Sequence, residues 1–440
     1  MIKRSGYVIN KEKHINELSK IRKELTVQPY KSQRFIMQNY GGLPEPFPIF
    51  LESENNLYVP RYYGIEKFGK ADYIIPNGDE ISLSFNGFLR ENQKDLMQDF
   101  LPIFKENCGA ILNLKTGGGK TALALYVISL IKKKALIVVH KQFLADQWVD
   151  RIKQFLPNAK IGKIQGKIFD IENKDIVISM LQSISMKDFT KNAFDSFGIT
   201  IFDETHHLAA NVFSRAFSKC SSKFNLGLSA TLTRKDETEF VLNYFIGPTF
   251  SPNVVENFGE VVVKKLEFTD ENFQKEITNF KGNINSAAMI SKLVSSPKRT
   301  KIICAYIEKF LKHNRHILIL SERLSQLKDI AEKLTEMDIE SGYAVGGIKH
   351  NTLIENCKKP VILATYSYVS EGFDVETLNT LIFASPKSDV VQSAGRILRQ
   401  TPESRLKTPY ILDIVDQTKV YESKFKKRNK YYKKNTFTLK

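Results

Sequence analysis

The chain has 440 residues, of which 42% are hydrophobic and 26% charged, a composition typical of a soluble protein with two or three domains. No uncharged apolar run approaches the roughly 20 residues of a membrane span, and no apolar stretch follows the first charges, so we expect neither a membrane protein nor a secreted one. The four cysteines are too far apart for a CxxC zinc site or a disulfide framework, which predicts a reducing, cytoplasmic environment.

The net charge of +17 is concentrated at the two ends of the chain. Residues 1–40 carry nine basic and three acidic side chains, and residues 417–440 carry nine basic side chains and one acidic side chain. Such a surplus favours a polyanionic partner, although it also serves solubility. We expect the ends to bind nucleic acid, with a frayed, solubilising tail as the alternative at 417–440.

Two series of buried strands are predicted after an N-terminal segment of short strands and turns. Apolar runs of five or six residues alternate with helical segments from Phe88 onward, which predicts parallel sheets covered on both faces. The predicted strands are 135–139, 175–179, 199–203 and 224–230 in the first series, and 316–320, 360–365, 380–385 and 410–415 in the second. A break near 250–260 separates the series, and 261–268 is interpreted as a connecting strand. The predicted architecture is an accessory domain (1–84), two α/β domains (85–255 and 256–416) and a basic tail (417–440); one large α/β domain is the alternative.

A phosphate-binding loop is predicted at 115–121, between an apolar stretch and a helix-forming segment. Its glycines let backbone N–H groups converge, and the helix N-terminus adds its positive dipole. The predicted nucleotide-binding residues of this loop are Thr116, Gly117, Gly118, Gly119, Lys120 and Thr121. Lys120 is expected to reach the β- and γ-phosphates, and the Thr121 hydroxyl to bind Mg²⁺. The common pattern G-x-x-x-x-G-K-T has a glycine where this chain has Leu114, so a glycine-rich turn without a ligand is the alternative.

An acidic pair and a set of arginines complete the predicted hydrolytic site. Asp203 and Glu204 follow an apolar strand, where one carboxylate can hold Mg²⁺ and the other can orient the attacking water; a solvated turn is the alternative. Gln392, Arg396 and Arg399 are spaced i, i+4 and i+7, which on a helix places them on one face. Arginines that contact the γ-phosphate can raise hydrolysis rates by ~10³–10⁵, and a solvated basic face is the alternative.

These residues, in this order, resemble the motifs of the superfamily 2 helicases with a D-E-x-H box, in the branch of the excision-repair helicase XPB, phage branch-migration helicases and transcript-release helicases of large DNA viruses. The resemblance covers about 85–416 and implies two RecA-like domains. It implies adenine reading by Arg90 and Gln93 and nucleotide contacts from Gly372 and Asp374 in the Glu371–Asp374 motif. It also implies coupling through Ser229 and Thr231 and a hydrogen-bonding role for His206 beside the acidic pair. Nucleic-acid contacts are implied at 136–148, 162–166 and 175–183.

The expected function is an ATP- and Mg²⁺-dependent DNA helicase that unwinds or branch-migrates forked and junction DNA in viral or phage replication, recombination or repair. An RNA-directed or transcript-releasing helicase is one alternative. A non-catalytic basic binding protein with a degenerate nucleotide site is another. We expect a monomer, with residues 1–84 serving as a DNA-binding or strand-separating accessory.

Overall fold

A computed structural model describes residues 1–28, 45–114, 118–190, 192–205, 210–230, 238–252, 258–273, 276–280, 282–370, 373, 375–400 and 402–440. The chain forms two compact units, Met1–Asn253 and Val254–Lys440. No helix in these described ranges is long and apolar enough to cross a membrane.

The N-terminal segment consists of short strands, as predicted, and of two helices that were not predicted. Its elements are β1 (Ile2–Lys3), β2 (Gly6–Asn10), α1 (Leu18–Glu24), β3 (Thr26–Val27), β4 (Phe47–Pro48), β5 (Leu51–Glu52), β6 (Asn56–Val59) and α2 (Arg61–Phe68). Strands β1, β2, β6 and β5 form an antiparallel sheet in that order, and β3 pairs with β4. Strands of two to five residues bury too little surface to be stable alone, so this sheet depends on its neighbours.

The rest of the first unit is a sheet with helices on both faces. Its elements are α3 (Glu91–Asn107), β7 (Gly109–Asn113), α4 (Lys120–Ile131), β8 (Ala135–Val139), α5 (Gln142–Phe155), β9 (Ile161–Gln165), β10 (Ile168–Asp170), β11 (Ile176–Met180), α6 (Leu181–Met186), β12 (Ile199–Phe202), α7 (Ala210–Cys220), β13 (Phe224–Ser229), α8 (Glu239–Ile246) and β14 (Thr249–Phe250). The strand order is β10-β9-β11-β8-β12-β13-β7-β14, and every pair is parallel except β9 with β10. The four strands predicted for the first series are confirmed.

One apolar core joins the N-terminal segment to a face of this sheet. Buried side chains of the segment, such as Ile2 and Leu57, belong to the same cluster as Val138 on β8 and Phe202 on β12. Polar contacts reinforce the junction, since the buried guanidinium of Arg61 donates to the carbonyl oxygens of residues 222 and 223 at 3.0 and 3.1 Å. The first 84 residues are therefore built into the first compact unit.

The second unit is also a sheet between two layers of helices. Its elements are β15 (Val262–Phe268), α9 (Ser286–Val294), α10 (Pro297–Leu311), β16 (Ile317–Ser321), α11 (Leu324–Glu336), β17 (Ser341–Ala344), α12 (His350–Lys358), β18 (Val361–Thr365), α13 (Tyr366–Ser370), β19 (Thr380–Phe383), α14 (Val391–Ala394), β20 (Tyr410–Asp416), α15 (Lys419–Lys434) and β21 (Thr438–Leu439). The strands run parallel in the order β17-β18-β16-β19-β20-β15-β21. The predicted fold class, two tandem α/β sheets, is confirmed, and the single-domain alternative is wrong.

Strand β15 is not a connecting strand, contrary to the sequence interpretation. It lies inside the second sheet and pairs with β20 over seven residues, from Val262 opposite Tyr410 to Phe268 opposite Asp416. Its mixed pattern VVKKLEF misled the interpretation because only its ends are buried.

The basic C-terminal segment folds against the second sheet. Helix α15 buries Tyr421, Arg428 and Tyr432, and β21 adds to the edge of β15. The Arg428 guanidinium donates to both carboxylate oxygens of buried Asp413 at 2.8 Å, and the Tyr432 hydroxyl donates to the same carboxylate at 2.8 Å. A frayed end is therefore excluded, and the Tyr432 ring is buried where no base can stack on it.

Candidate functional site

The described part of the phosphate loop is shaped by glycine and begins helix α4. Gly119 has φ of +84°, in the left-handed region, and immediately precedes the first helical residue. A Cβ atom at Gly119 would lie 2.3 Å from the side-chain nitrogen of Gln93, so only glycine fits there. The backbone thus turns the loop toward the positive end of the α4 dipole, as an anion site requires.

Gln93 holds this loop from the start of helix α3. Its Nε2 donates to the Gly118 carbonyl oxygen at 3.2 Å, and its Oε1 accepts the Arg90 backbone N–H at 3.0 Å. An Arg90 guanidinium nitrogen lies 4.0 Å from the position that a Cβ atom would take at Gly119. The structure therefore brings the two predicted adenine-reading residues to the phosphate loop, and it adds a loop-holding contact that the sequence did not predict.

Lys120 lies between the loop and the acidic pair. Its ammonium donates to the Leu114 carbonyl oxygen at 3.0 Å and lies 3.8 Å from Glu204 Oε1. Both side chains are largely buried, with exposed fractions of 11% and 15%. The two motifs, more than 80 residues apart in sequence, meet because β7 and β12 end at the same edge of one parallel sheet.

Asp203 is buried at that edge and hydrogen-bonded on both oxygens. Oδ2 accepts the indole N–H of Trp148 at 2.8 Å, and Oδ1 accepts the Glu204 backbone N–H at 2.9 Å. Burial and, next, the Glu204 carboxylate raise the pKa of Asp203 to about 6, while Trp148 and Lys120 act in the opposite direction. A carboxylate that is this poorly solvated gains strongly from a nearby cation.

Glu204 itself has φ of +47°, a left-handed conformation that is unfavourable for a side chain of this size. Backbone strain of this kind is common where a side chain must be aimed at a reacting group.

The residues of this site fit a magnesium ion held mainly by phosphate and water. Thr121, the second residue of α4, supplies a hydroxyl, and Asp203 supplies a carboxylate, both hard oxygen ligands. The described residues contain no group of three or more His, Cys, Asp or Glu side chains that could hold a metal alone. A magnesium ion bound at Thr121 and Asp203 would take its remaining ligands from phosphate and water.

The end of strand β13 is hydrogen-bonded to both motifs. The carbonyl oxygen of buried Ser229 accepts the Leu114 backbone N–H at 2.9 Å, and the carbonyl oxygen of Leu228 accepts the Thr205 hydroxyl at 3.3 Å. Leu114 also binds the Lys120 ammonium through its own carbonyl. The predicted coupling residue Ser229 is thus two hydrogen bonds away from Lys120.

The second unit places the predicted arginines differently from the sequence prediction. Helix α14 ends at Ala394 and a 3₁₀ turn follows at Gly395–Ile397, so Gln392, Arg396 and Arg399 do not share one continuous helix. Ala394 and Ile397, three residues apart, are both buried in the apolar core, and a 3₁₀ turn places residues i and i+3 on the same side.

Arg396 and Arg399 nevertheless converge on one acceptor. Arg396 is buried and donates to the Phe373 carbonyl oxygen at 2.6 Å, and Arg399 approaches the same oxygen at 3.5 Å. Gln392 lies half-buried on α14. The Phe373 carbonyl therefore joins the Glu371–Asp374 motif to the arginine segment.

Several predicted site residues lie outside the described part of the chain. They are Thr116, Gly117, His206, Thr231, Gly372 and Asp374.

Comparison with known proteins identifies the family. Residues 87–234 match the family model described as type III restriction enzyme, res subunit. The chain is 33% identical over 453 aligned positions to the ATP-dependent RNA helicase L396 of Acanthamoeba polyphaga mimivirus, covering all of this chain and 86% of the relative. The chain belongs to the superfamily 2 helicases, in their viral and phage branch. It is also 26% identical to helicase D10 of Escherichia phage T5, over 72% of this chain and 70% of that protein.

The helicase fold agrees with a solved structure as well. The helicase domain of Pyrococcus furiosus Hef covers 77% of this chain and 99% of its own, with a TM-score of 0.50 at 15% identity. This likeness concerns the fold alone. Family membership makes the chain an ATP-dependent helicase, which binds nucleotide and nucleic acid, and the non-catalytic alternative is set aside.

Sequence reasoning missed the part that Trp148 plays in this helicase. The stretch 136–148 resembled a nucleic-acid-contacting motif, whereas the Trp148 ring is buried and its N–H binds Asp203. A signal was present: Leu144, Trp148 and Ile152 recur every four residues on α5, which predicts a buried stripe. A buried indole N–H needs an acceptor, and the sequence could not say which one.

Proposed function

We propose that this helicase is an ATP-driven DNA helicase or translocase that acts on forked and junction DNA in viral or phage replication, recombination or repair. The observation that carries the ATPase proposal is the 3.8 Å approach of the Lys120 ammonium to Glu204. This approach places the helix start that can bind a phosphate beside a carboxylate that can orient water. Transfer of a phosphoryl group to water needs both.

Each predicted site residue of the first unit has a proposed role in ATP binding or hydrolysis. The backbone around Gly117, Gly118 and Gly119, with Thr116, cradles the phosphates, and Lys120 neutralises the β- and γ-phosphates. Thr121 and Asp203 hold Mg²⁺, which would balance the developing phosphate charge when bound. Glu204 accepts the proton of the attacking water, and His206 hydrogen-bonds beside it. Arg90 and Gln93 bind the adenine.

In the second unit, Arg396 and Arg399 stabilise the charge that develops on the γ-phosphate, with Gln392 positioned beside them and Gly372 and Asp374 contacting the nucleotide. A guanidinium has five N–H donors, so each arginine can keep its contact with the Phe373 carbonyl and still offer N–H groups to phosphate oxygens. An Arg399→Ala variant is expected to lose turnover while nucleic acid still binds.

We propose that Ser229 and Thr231 couple the nucleotide to the bound strand. When the Lys120 ammonium contacts a phosphate, its hydrogen bond to the Leu114 carbonyl is expected to shift. Leu114 is in turn bound to Ser229, so a shift of the loop is passed to the end of β13. Short chains of hydrogen bonds with two alternative arrangements are suited to such coupling.

The basic C-terminal helix supplies a proposed grip on the phosphate backbone. Its exposed lysines are Lys419, Lys426, Lys427, Lys430, Lys433 and Lys434. No ion pair joins them to a carboxylate within the described ranges, whereas in the N-terminal segment Arg4 pairs with Asp195, and Lys11 and Arg22 pair with Glu52. The C-terminal surplus is thus the more available for DNA, and each phosphate contact adds salt dependence to binding.

The preference for DNA is tested by nucleic-acid-stimulated ATP hydrolysis. The full chain is assayed alone, with forked DNA, with a four-way DNA junction, and with single-stranded RNA of matched length, using Lys120→Ala as the inactive control. We expect the forked and junction DNA to stimulate most. Stimulation by RNA and not by DNA would overturn the DNA assignment while leaving the ATPase assignment intact.

The second candidate is an RNA-directed or transcript-releasing helicase, because the mimivirus relative is named an ATP-dependent RNA helicase. Displacement of a labelled RNA from an RNA–DNA hybrid, measured beside displacement from a DNA fork, separates the two candidates.

A further inference from the structure

A basic and aromatic cavity opens in the second unit, and none of its lining residues has been given a role above. Its volume is about 420 Å³, within the range of small-molecule sites. The lining residues are Tyr306, Lys309, Phe310, His313, Arg315, Lys407, Thr408 and Tyr410. They come from the end of α10, the turn that follows it, and the segment that leads into β20.

The cavity lies at the amino-terminal edge of the second sheet. Arg315 precedes β16 by two residues, and Tyr410 is the first residue of β20. The loop at Phe373 and the arginine segment follow the carboxyl ends of β18 and β19. Strands of a parallel sheet all point one way, so the cavity lies at the edge opposite to Phe373, Arg396 and Arg399.

The charge of the cavity is uniformly basic. Three of its lining side chains are lysine or arginine, a fourth is histidine, and none is a carboxylate. Arg315 is half-buried and donates only to neutral oxygens, Thr380 Oγ1 at 3.2 Å and the Thr408 carbonyl at 3.0 Å. No carboxylate in the described ranges forms an ion pair with it, and burial lowers its pKa. A guanidinium in this state is stabilised by an anionic ligand.

The walls of the cavity are aromatic. Phe310 packs against the Tyr410 ring with centroids 5.1 Å apart and against Tyr306 at 6.0 Å. The Arg315 guanidinium lies 5.3 Å from the Tyr410 ring centroid. Aromatic rings beside cations are the composition that binds a flat base together with its phosphate, whereas an inorganic anion would need no aromatic wall.

We propose that this cavity binds a nucleoside monophosphate unit, with the base against the aromatic wall and the phosphate between Lys309, Arg315 and Lys407. The unit is either a free mononucleotide or one unpaired nucleotide of a nucleic-acid strand. The proposal does not depend on whether the motor acts on DNA or RNA.

The test uses calorimetric titration of the full chain with adenosine 5′-monophosphate, adenosine, inorganic phosphate and a short glutamate peptide, in a Lys120→Ala background that disables the ATP site. The cavity variant is Lys309→Gln with Lys407→Gln. The matched control is Lys312→Gln with Lys328→Gln, which removes two exposed lysines of the same unit outside the cavity. We expect the cavity variant to weaken binding of the monophosphate by about tenfold or more, since two charge-assisted contacts are lost, and the control to change it by less than about twofold.

Equal affinity in the cavity variant and the control would overturn the proposal, as would phosphate or the glutamate peptide binding as tightly as the monophosphate. Photo-cross-linking of an 8-nucleotide strand that carries 5-iodouracil then identifies the source. Cross-links to Tyr306 or Tyr410 indicate a nucleotide of a strand, and monophosphate binding without cross-links indicates a free nucleotide. Nucleic-acid-stimulated ATP hydrolysis by the cavity variant, measured separately with Lys120 intact, shows whether the two cavity substitutions affect the ATPase.

Discussion

The buried carboxyl of Asp203 should make the stability of the first unit depend on pH in a predictable way. Burial and the neighbouring Glu204 carboxylate raise the pKa of Asp203 from 3.8 to about 6. The folded protein therefore holds a proton there at pH values where the unfolded chain has released it. Since the folded state binds more protons between about pH 4 and 6, its stability falls as the pH rises through that interval.

The magnitude follows from the two pKa values. A tenfold change in the acid dissociation constant corresponds to ~1.4 kcal/mol, so ionised Asp203 destabilises the folded state by about 3 kcal/mol at neutral pH. Part of this destabilisation is already present at pH 5, and the change between pH 5 and 7.5 is on the order of 1 kcal/mol. An Asp203→Asn variant lacks the titrating group and should lack this part of the pH dependence.

The assay is urea unfolding of the wild type and of Asp203→Asn at several pH values from 5 to 7.5, without nucleotide or magnesium, followed by circular dichroism. The stability of the variant relative to the wild type should rise with pH by on the order of 1 kcal/mol, whatever the constant cost of the amide against the Glu204 N–H. Asp99→Asn, an exposed position on α3, serves as the matched control and should give a flat difference. A flat difference for Asp203→Asn as well would refute the reasoning.

Three further predictions follow from the site and from the C-terminal helix. Glu204→Gln should retain ATP binding, measured by calorimetry, and lose turnover, because the amide cannot accept a proton from water. Leu114→Ala should lower the free energy of unfolding by about 2–4 kcal/mol, because the Leu114 side chain is 7% exposed and belongs to the apolar core. Arg428→Met should destabilise the second unit by about 3–5 kcal/mol, because Asp413 would be left buried without its partner.

Each of these three predictions has a control variant or a result that would contradict it. Normal hydrolysis by Glu204→Gln would remove its role as the base. Unchanged stability of Leu114→Ala would show that the Leu114 side chain does not contribute to the apolar core. Lys430→Gln, an exposed neighbour of Arg428, should leave stability unchanged. If Arg428→Met were equally harmless, the C-terminal helix would not be held by the Asp413 contact.

Much of the fold could be predicted because buried parallel strands have a simple sequence pattern. The runs at 135–139 and 360–365 are apolar at every position or nearly so, since both faces of such strands are covered. Strand β15 does not show this pattern, and was interpreted as a connecting strand, because its middle residues are only partly buried. The spacing of Gln392, Arg396 and Arg399 did not reveal that α14 ends at Ala394, because spacing alone does not show where packing shortens a helix.

The candidate site could be predicted residue by residue but not contact by contact. The glycine loop and the acidic pair are recognisable because phosphate and magnesium chemistry demands particular side chains in a fixed order. The contact of Trp148 with Asp203 and that of Gln93 with Gly118 join segments that are 55 and 25 residues apart. Nothing in the local sequence selects such partners, because they depend on which strands become neighbours.

The sequence by itself determined the chemistry of this helicase and the location of its surplus charge. Only the tertiary structure decided how that charge is used. In the C-terminal segment, Arg428 forms a buried ion pair with Asp413, whereas the lysines on the opposite face of the helix remain exposed. The physical reason is that formal charge is a property of the residue, whereas its availability to a partner depends on the burial and ion pairing that folding imposes.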